Sequence, residues 1–249
     1  MKEDPYIHAF MHCALMHGGL SVATEMHGRM MQSGFYDKVD SVTWTICGPK
    51  DQADYLHDYV LKWHPKTIIR YAGESFECYE YPALKLLEAK ALESKDDETI
   101  LIYLHTKGAS NCRPDVPDYI QHNLREWRGH MCAEIMDIEA VKMYLDRFTS
   151  CGPLHVLADH PDNTARVDYY AGNFWACTPL HIKRMERLSP NNTDRRNFAE
   201  EWIGTSNGPR KNTFGAMSAC DHFDLYDFSN KCHPVGPLDG YKGTSNANK

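Results

Sequence analysis

Short apolar runs rich in β-branched and aromatic residues alternate with helical periodicity through the first part of the chain. The runs predict strands at 6–11, 41–47, 66–71 and 99–104. Between them, apolar residues recur every three or four positions and predict helices near 22–30, 53–63 and 82–93. Strands that alternate with helices are typical of α/β proteins, so the pattern predicts a parallel, Rossmann-like sheet flanked by helices.

The strongest predicted strand is 99–104, which is apolar at almost every position. Such a run indicates a central strand covered on both faces. In open α/β sheets ligands bind at the carboxyl ends of the strands. The polar residues that follow this strand, 105–108, are therefore the first place to look for a site.

The second half of the chain is also mixed. From Pro117 one apolar stripe runs to Ile138 on a long predicted helix, and a second stripe covers 141–148. Further on, the pattern predicts strands at 154–158 and 167–176 and helices at 179–188 and 198–203. We expect one domain over residues 1–235, followed by a mobile polar tail at 236–249 that is rich in Gly, Ser and Asn.

Composition and charge narrow the classes of partner. The chain has 249 residues, 27 Lys and Arg against 34 Asp and Glu, and a formal net charge of −7. No apolar run approaches the roughly 20 residues that a membrane-spanning helix needs. A net negative chain without a long basic tract repels polyanions, so nucleic acid and anionic membranes are not expected partners. An anionic ligand should be small and held by a few local donors.

Cysteine usage bears on the compartment. The nine cysteines are an odd number and form no C-x-x-C pair, which is typical of free thiols in a reducing environment. The first residues, 1–6, are charged and lack the apolar core of a signal peptide. We therefore expect a cytoplasmic location.

The most informative motif is His105-Thr106-Lys107-Gly108, directly after the strongest predicted strand. Lys107 and Gly108 can present a positive charge and a close-approaching backbone to a phosphate. The alternative is a strand-ending turn in which His105 only caps backbone groups. Arg128, next to Trp127 on the long helix, could also reach a phosphate, although most such arginines are solvated or ion-paired.

Two later segments carry further candidates. Gly172-Asn173 lies within the aromatic run 169–176, and small residues beside aromatic faces such as Trp175 suit a sugar pocket. Core packing explains the aromatics equally well. Glu200 and Glu201 precede an apolar pair, and because adjacent helical residues point about 100° apart, at most one can face a site as a general base. A solvated helix face is the alternative.

Known catalytic and metal motifs are scarce. The chain lacks the P-loop, the G-x-G-x-x-G fingerprint and the G-x-S-x-G nucleophile elbow. Fourteen histidines include no tight ligand spacing, and Asp221-His222 is the best candidate metal pair.

Four motifs occur in a characteristic order: His105-Thr106-Lys107 after a strand, Trp127-Arg128, the segment 172–176 and the acidic pair before Trp202. This set resembles glycosyltransferases of the A-type (GT-A) fold, and it is similar to rhamnan synthesis F-type proteins and capsid glycosyltransferases of large algal viruses. The resemblance spans about residues 6–205 and points toward a viral or microbial source.

The resemblance implies transfer of a sugar from a nucleotide-diphosphate donor to a hydroxyl of a glycan or glycoprotein. It places His105, Thr106 and Lys107 where such enzymes commonly have a metal-binding D-x-D pair, which this chain lacks. Dependence on a divalent ion such as Mn²⁺ or Mg²⁺ is therefore open. Either Asp221 or His222 holds one, or a helix N-terminus and arginines share the leaving group's charge.

The resemblance also implies roles for the remaining candidates. Glu200 or Glu201 would be the base, and His105, Thr106, Lys107 and Arg128 would bind the donor. The sugar or acceptor pocket would be formed by Gly172, Asn173 and Trp175. Two other hypotheses remain: a catalytically silent nucleotide-sugar-binding module, which the missing D-x-D favours, and a metal-dependent hydrolase that uses the many histidines.

Overall fold

The computed structural model describes residues 4–62, 64–95, 98–158, 167–189, 198–207 and 213–218. The α-helices of this part are α1 (Gly19–Gln32), α2 (Phe35–Lys38), α3 (Lys50–Tyr55), α4 (Tyr81–Glu93), α5 (Asp118–Ile135), α6 (Ile138–Leu145), α7 (Pro179–Lys183) and α8 (Phe198–Glu201). A π-helix spans Leu56–Leu61, and short 3₁₀ helices span Ala109–Asn111 and Trp202–Thr205. The strands are β1 (Tyr6–Ala14), β2 (Ser41–Cys47), β3 (Thr67–Gly73), β4 (Thr99–His105), β5 (Ser150–Gly152), β6 (His155–Val156), β7 (Tyr169–Tyr170), β8 (Trp175–Cys177) and β9 (Phe214–Ala216).

The sheet is mostly parallel. Within the described residues it has seven strands in the order β3-β2-β1-β4-β8-β5-β9. Strands β1 to β4 run parallel to one another, and β8 is antiparallel to both of its neighbours, β4 and β5. Strands β6 and β7 form a separate antiparallel pair. The predicted α/β class, with a Rossmann-like parallel sheet flanked by helices, is confirmed.

Strand β4 lies at the centre of the molecule, as its sequence predicts. All seven of its residues are buried. Alternate side chains point to opposite faces of a strand, and here Ile100, Ile102 and Leu104 join one hydrophobic core while Leu101 and Tyr103 join the other. The apolar residues of β4 are thus divided between the two cores. The carboxyl end of β4 lies at the middle of one edge of the sheet.

The long predicted helix from Pro117 is in fact two helices. α5 ends at Ile135, and the side chain of Asp137 accepts a hydrogen bond from the Ala140 N–H at 3.2 Å, which starts α6. A capping aspartate satisfies an otherwise unpaired donor and so favours a new helix start. Apolar spacing alone could not show this break, because Ile138 continues the stripe across it.

The predicted strand at 167–176 is interrupted by a turn. Gly172 has φ +88° and Asn173 has φ +55°, and the Asn173 N–H donates to the Tyr170 carbonyl. A Cβ on Gly172 would lie 2.4 Å from the Met131 Sδ, so glycine is required there for space as well as for conformation. The predicted strand at 154–158 likewise reduces to β6, and the predicted helix at 179–188 ends at Lys183.

None of the described helices is long and apolar enough to cross a bilayer. The described cysteines, 13, 47, 78, 112, 132, 151 and 177, are all free thiols. The predicted tail at 236–249 lies outside the described residues, as does the predicted domain end at residue 235.

Burial of His181 should make the stability of the folded protein depend on pH in the acidic range. Its Nε2 lies 2.9 Å from the Ile203 carbonyl, and burial lowers its pKa from 6.5 to about 4. The unfolded chain binds a proton below pH 6.5 that the folded chain takes up only near pH 4, so stability falls as the pH drops through this window. We expect a loss of about 3 kcal/mol in the free energy of unfolding from this residue.

Urea unfolding at pH 7.5, 5.5 and 4.5 measures this effect. His181→Gln is the control, because it removes the titrating group; it should be less stable at pH 7.5 and show a shallower decline toward pH 4.5. An equal decline in both proteins would contradict the assignment to His181.

Candidate active site

A cleft of about 560 Å³ opens at the carboxyl ends of β1, β2 and β4. His12 and Ala14 line it from β1, Cys47 from β2, and 105–107 from β4 and the turn after it. Opposite walls come from 76–77 and 79–80, before α4, and from the helices that carry Leu124, Trp127 and Glu200. This volume is typical of small-molecule sites.

Lys107 reaches into this cleft. Its Nζ lies 3.1 Å from the Glu200 Oε1 and 5.1 Å from the centre of the Trp127 ring, and 17% of its side chain is exposed. Gly108, with φ +84°, turns the chain directly after it. The ammonium is therefore held at the cleft wall by a carboxylate and an aromatic face.

Glu200 and Glu201 are placed differently. Glu200 lines the cleft with 39% of its side chain exposed, whereas Glu201 is absent from the lining. This arrangement agrees with the expectation that only one of two adjacent helical carboxylates can face a site. Glu200 is the candidate base that the structure brings to Lys107.

His105 and Thr106 line the cleft, but their polar atoms are used within the protein. The Thr106 Oγ1 accepts a hydrogen bond from the Ala14 N–H at 3.0 Å. The His105 Nε2 lies 2.8 Å from the Gly172 carbonyl oxygen, and its Nδ1 lies 3.0 Å from the Glu80 Oε1. These side chains form part of the cleft floor. Both ring nitrogens of His105 already have partners within the protein, so neither is available for the predicted contact with a donor.

Arg128 does not line the cleft, which corrects its predicted place in a donor site. Only 3% of the residue is exposed, and its guanidinium pairs with Glu25 while its Nη1 donates to the Lys107 carbonyl at 2.9 Å. Burial would raise the pKa of Glu25, but Arg128 and Arg29 beside it lower that pKa. Arg128 thus supports the turn that carries Lys107. Its buried guanidinium needs a carboxylate partner, and Glu25 on α1 is that partner.

The predicted sugar pocket of Gly172, Asn173 and Trp175 is also corrected. None of the three is part of the cleft lining, and Asn173 and Trp175 are fully buried. The Trp175 Nε1 donates to the Asn173 Oδ1 at 2.7 Å. The aromatic run packs into the core, and the Gly-Asn turn supports the cleft floor from behind.

The sequence analysis did not identify Glu80, a residue of the cleft with only 14% of its side chain exposed. Its Oε2 accepts hydrogen bonds from the Tyr103 hydroxyl at 2.7 Å and from the Asn173 Nδ2 at 2.5 Å. Burial would raise the pKa of Glu80, but the neighbouring His105 and the Tyr103 hydroxyl bring it down to about 2. An acidic residue just before the Pro82 helix start is the one signal available in the sequence, and it is too common to indicate burial.

A pair of cysteines, one of which lines the cleft, was likewise missed. Cys47 lines the cleft, and its Sγ lies 3.7 Å from the Nε2 of His12, whose pKa burial lowers to about 4. Cys47 and Cys78 also share a thiol hydrogen bond, which lowers the pKa of Cys78 to about 7 and, with burial, raises that of Cys47.

This thiol pair predicts selective alkylation of Cys78. The thiolate is the nucleophile, so at pH 7 about half of Cys78 should be reactive, against a few per cent for an ordinary thiol. Mass spectrometry after brief iodoacetamide pulses between pH 6 and 9 should give a rate midpoint near pH 7. Cys47→Ala should move the midpoint upward. A wild-type midpoint at 8.5 or above would contradict the prediction.

The predicted metal pair, Asp221 and His222, lies outside the described residues. Within the described ranges no group of three or more His, Cys, Asp or Glu side chains is arranged to hold a metal ion.

No known family model matches the chain, and no curated protein matches it. One solved structure that it resembles is 4-diphosphocytidyl-2C-methyl-D-erythritolsynthase from Anaerococcus prevotii DSM 20548, at 10% identity and a TM-score of 0.41, over 84% of this chain and 85% of that one.

Proposed function

We propose that the cleft binds a nucleotide-diphosphate sugar and transfers the sugar to a hydroxyl group of a glycan or glycoprotein. The observation that carries this proposal is the meeting of the Lys107 ammonium and the Glu200 carboxylate, 3.1 Å apart, at the carboxyl ends of parallel strands. Such a place is where open α/β sheets bind ligands. A cation for the diphosphate and a base for the acceptor are the two groups that this reaction needs.

The Lys107 ammonium is the group suited to the diphosphate. It lies in a partly enclosed wall, where a charge-assisted hydrogen bond contributes roughly 1.5–3 kcal/mol. Even modest enzymes lower their barriers by about 8 kcal/mol, so Lys107 cannot act alone. The Trp127 ring beside Lys107 is an apolar face that would keep water away from the hydrogen bond between the ammonium and the diphosphate.

Glu200 is the group suited to the acceptor. In the proposed reaction its carboxylate takes the proton of the acceptor hydroxyl while that oxygen attacks the anomeric carbon. The bond between the anomeric carbon and the diphosphate oxygen breaks, and the nucleoside diphosphate leaves with the electron pair. Binding of the diphosphate to Lys107 would draw the ammonium away from Glu200 and so free the carboxylate for this step.

A screen of nucleotide sugars tests the proposal. A donor present at 100 times its Kd adds about 2.7 kcal/mol of stability, which for a chain of this size raises Tm by about 5–10 °C. Each donor is tested with and without Mn²⁺, and hits are assayed for release of nucleoside diphosphate with glycan acceptors. Binding without release or transfer selects the silent binding module. No stabilisation by any donor, with no release, overturns the proposal.

A further inference from the structure

We propose that Glu80 is a positioning residue that holds His105 as an imidazolium, and that this buried ion pair fixes both Lys107 and Glu200. The ion pair stands on the geometry alone, while its effect on turnover rests on the proposed function. Glu80 lies in the cleft floor with 14% of its side chain exposed, and it precedes Glu200 by 120 residues in sequence.

Hydrogen-bond directions place the protons of this cluster. The His105 Nε2 faces the Gly172 carbonyl oxygen, which can only accept, so Nε2 carries a proton. The Nδ1 faces the Glu80 Oε1 at 3.0 Å, so one proton lies between them. The state is therefore either an imidazolium with a carboxylate or a neutral imidazole with a carboxylic acid.

The partners of the other Glu80 oxygen favour the first of these two states. The Trp175 Nε1 can only donate, which fixes the Asn173 amide with Oδ1 toward Trp175 and Nδ2 toward Glu80. The Glu80 Oε2 therefore accepts from both the Asn173 amide and the Tyr103 hydroxyl. Two donors on one oxygen stabilise the charged carboxylate, which leaves the proton on His105.

The groups around this pair are consistent with that state. His12, on the neighbouring strand β1, has its pKa lowered to about 4 by burial and is neutral at pH 7. Burial and the Glu80 carboxylate raise the pKa of Tyr103, so its hydroxyl keeps its proton and donates. Lys107 and Glu200, the charged pair on the cleft wall, offset each other's charge.

The same carboxylate connects the two proposed functional groups. Tyr103 and His105 belong to the end of β4, and His105 precedes Lys107 by two residues. The Asn173 Nδ2, which donates to Glu80, also lies 3.3 Å from the carbonyl oxygen of Ala199, the residue before Glu200. One buried charge thus joins the turn that presents the ammonium to the helix that presents the base.

Glu80→Gln tests the charge with little change of shape. Its amide oxygen can accept from Tyr103 and Asn173, and its NH₂ can donate to the Nδ1 of a neutral His105. We expect the His105 ring nitrogens, observed by ¹⁵N NMR at pH 7.5, to be both protonated in the wild type. In Glu80→Gln only Nε2 should be protonated. The His105 signals are assigned by their absence in His105→Gln.

Tyr103→Phe is the matched control, because it removes one hydrogen bond to Glu80 but leaves the carboxylate. It should retain the imidazolium signals. In the transfer assay we expect kcat of Glu80→Gln to fall about tenfold with KM changed less than twofold, since small displacements of reacting groups lower turnover more than binding. A loss of folded protein alone would not change the His105 protonation of the remaining folded fraction.

The outcomes separate the two proposals. A neutral His105 in the wild type overturns the ion pair, whatever the activity. An unchanged kcat in Glu80→Gln overturns the positioning role. Imidazolium signals that vanish in Glu80→Gln, in a protein that transfers no sugar, support the ion pair and count against the proposed function only. Should Glu80→Gln fail to fold, the wild-type signals and Tyr103→Phe still decide the protonation state.

Discussion

Glu200→Gln is expected to lower the rate of sugar transfer by about 100-fold or more, because a glutamine cannot accept the acceptor's proton. The substitution is nearly isosteric, and its amide oxygen can still accept a hydrogen bond from the Lys107 Nζ, 3.1 Å from the present carboxylate. Donor affinity should therefore change little. The effect is measured as kcat for nucleoside diphosphate release in the presence of acceptor.

Glu201→Gln is the matched control for this variant. Glu201 is the next residue on the same short helix but is absent from the cleft lining, so its loss should leave transfer within twofold of the wild type. Equal losses in the two variants, or full activity in Glu200→Gln, would remove Glu200 from the role of base.

The sequence was most informative where local pattern decides structure. The run Thr99–Leu104 is buried at every position because it serves two cores, and its apolar composition predicts that. Because β4 ends at His105, Lys107 lies at the carboxyl edge of the sheet, which is where open α/β sheets bind ligands. The placement of the ammonium therefore followed from a single strand and a general rule of α/β sheets.

The sequence could not reveal contacts that depend on tertiary packing. Arg128 follows Trp127 on the face of a helix, and nothing local says that Glu25, 103 residues away, pairs with it. Glu80 is similar: its carboxylate is stabilised by donors from β4 and from the turn at Asn173, far away in sequence. Polar residues gain their roles from partners that only the folded chain assembles.

Gly172-Asn173 shows how the role of a short motif depends on its partners in the folded chain. The small residues do mark a special backbone position, since both have positive φ. Their purpose is different from the predicted pocket, because Met131 fills the space against Gly172 and the Asn173 side chain points to Glu80. The sequence analysis expected a ligand to approach this backbone closely, whereas in the structure the side chain of Met131 does so.

Lys107→Met is expected to weaken binding of a nucleoside diphosphate by about 10- to 100-fold, through loss of one charge-assisted hydrogen bond. Methionine keeps an unbranched apolar stem that can still pack on the Trp127 ring, so the wall of the cleft should persist. The loss should be confined to phosphorylated ligands. Calorimetry with the diphosphate and with the corresponding unphosphorylated nucleoside measures this difference directly.

The control for Lys107→Met is Lys142→Met. Lys142 lies on α6, pairs with Asp4 and Glu139, and is absent from the cleft lining. Both variants lower the net charge equally, so long-range electrostatics affect them alike. Only Lys107→Met should lose affinity for the diphosphate. Equal affinities in the wild type and Lys107→Met would show that the ammonium does not meet the phosphates, and the proposed donor site would have to be abandoned.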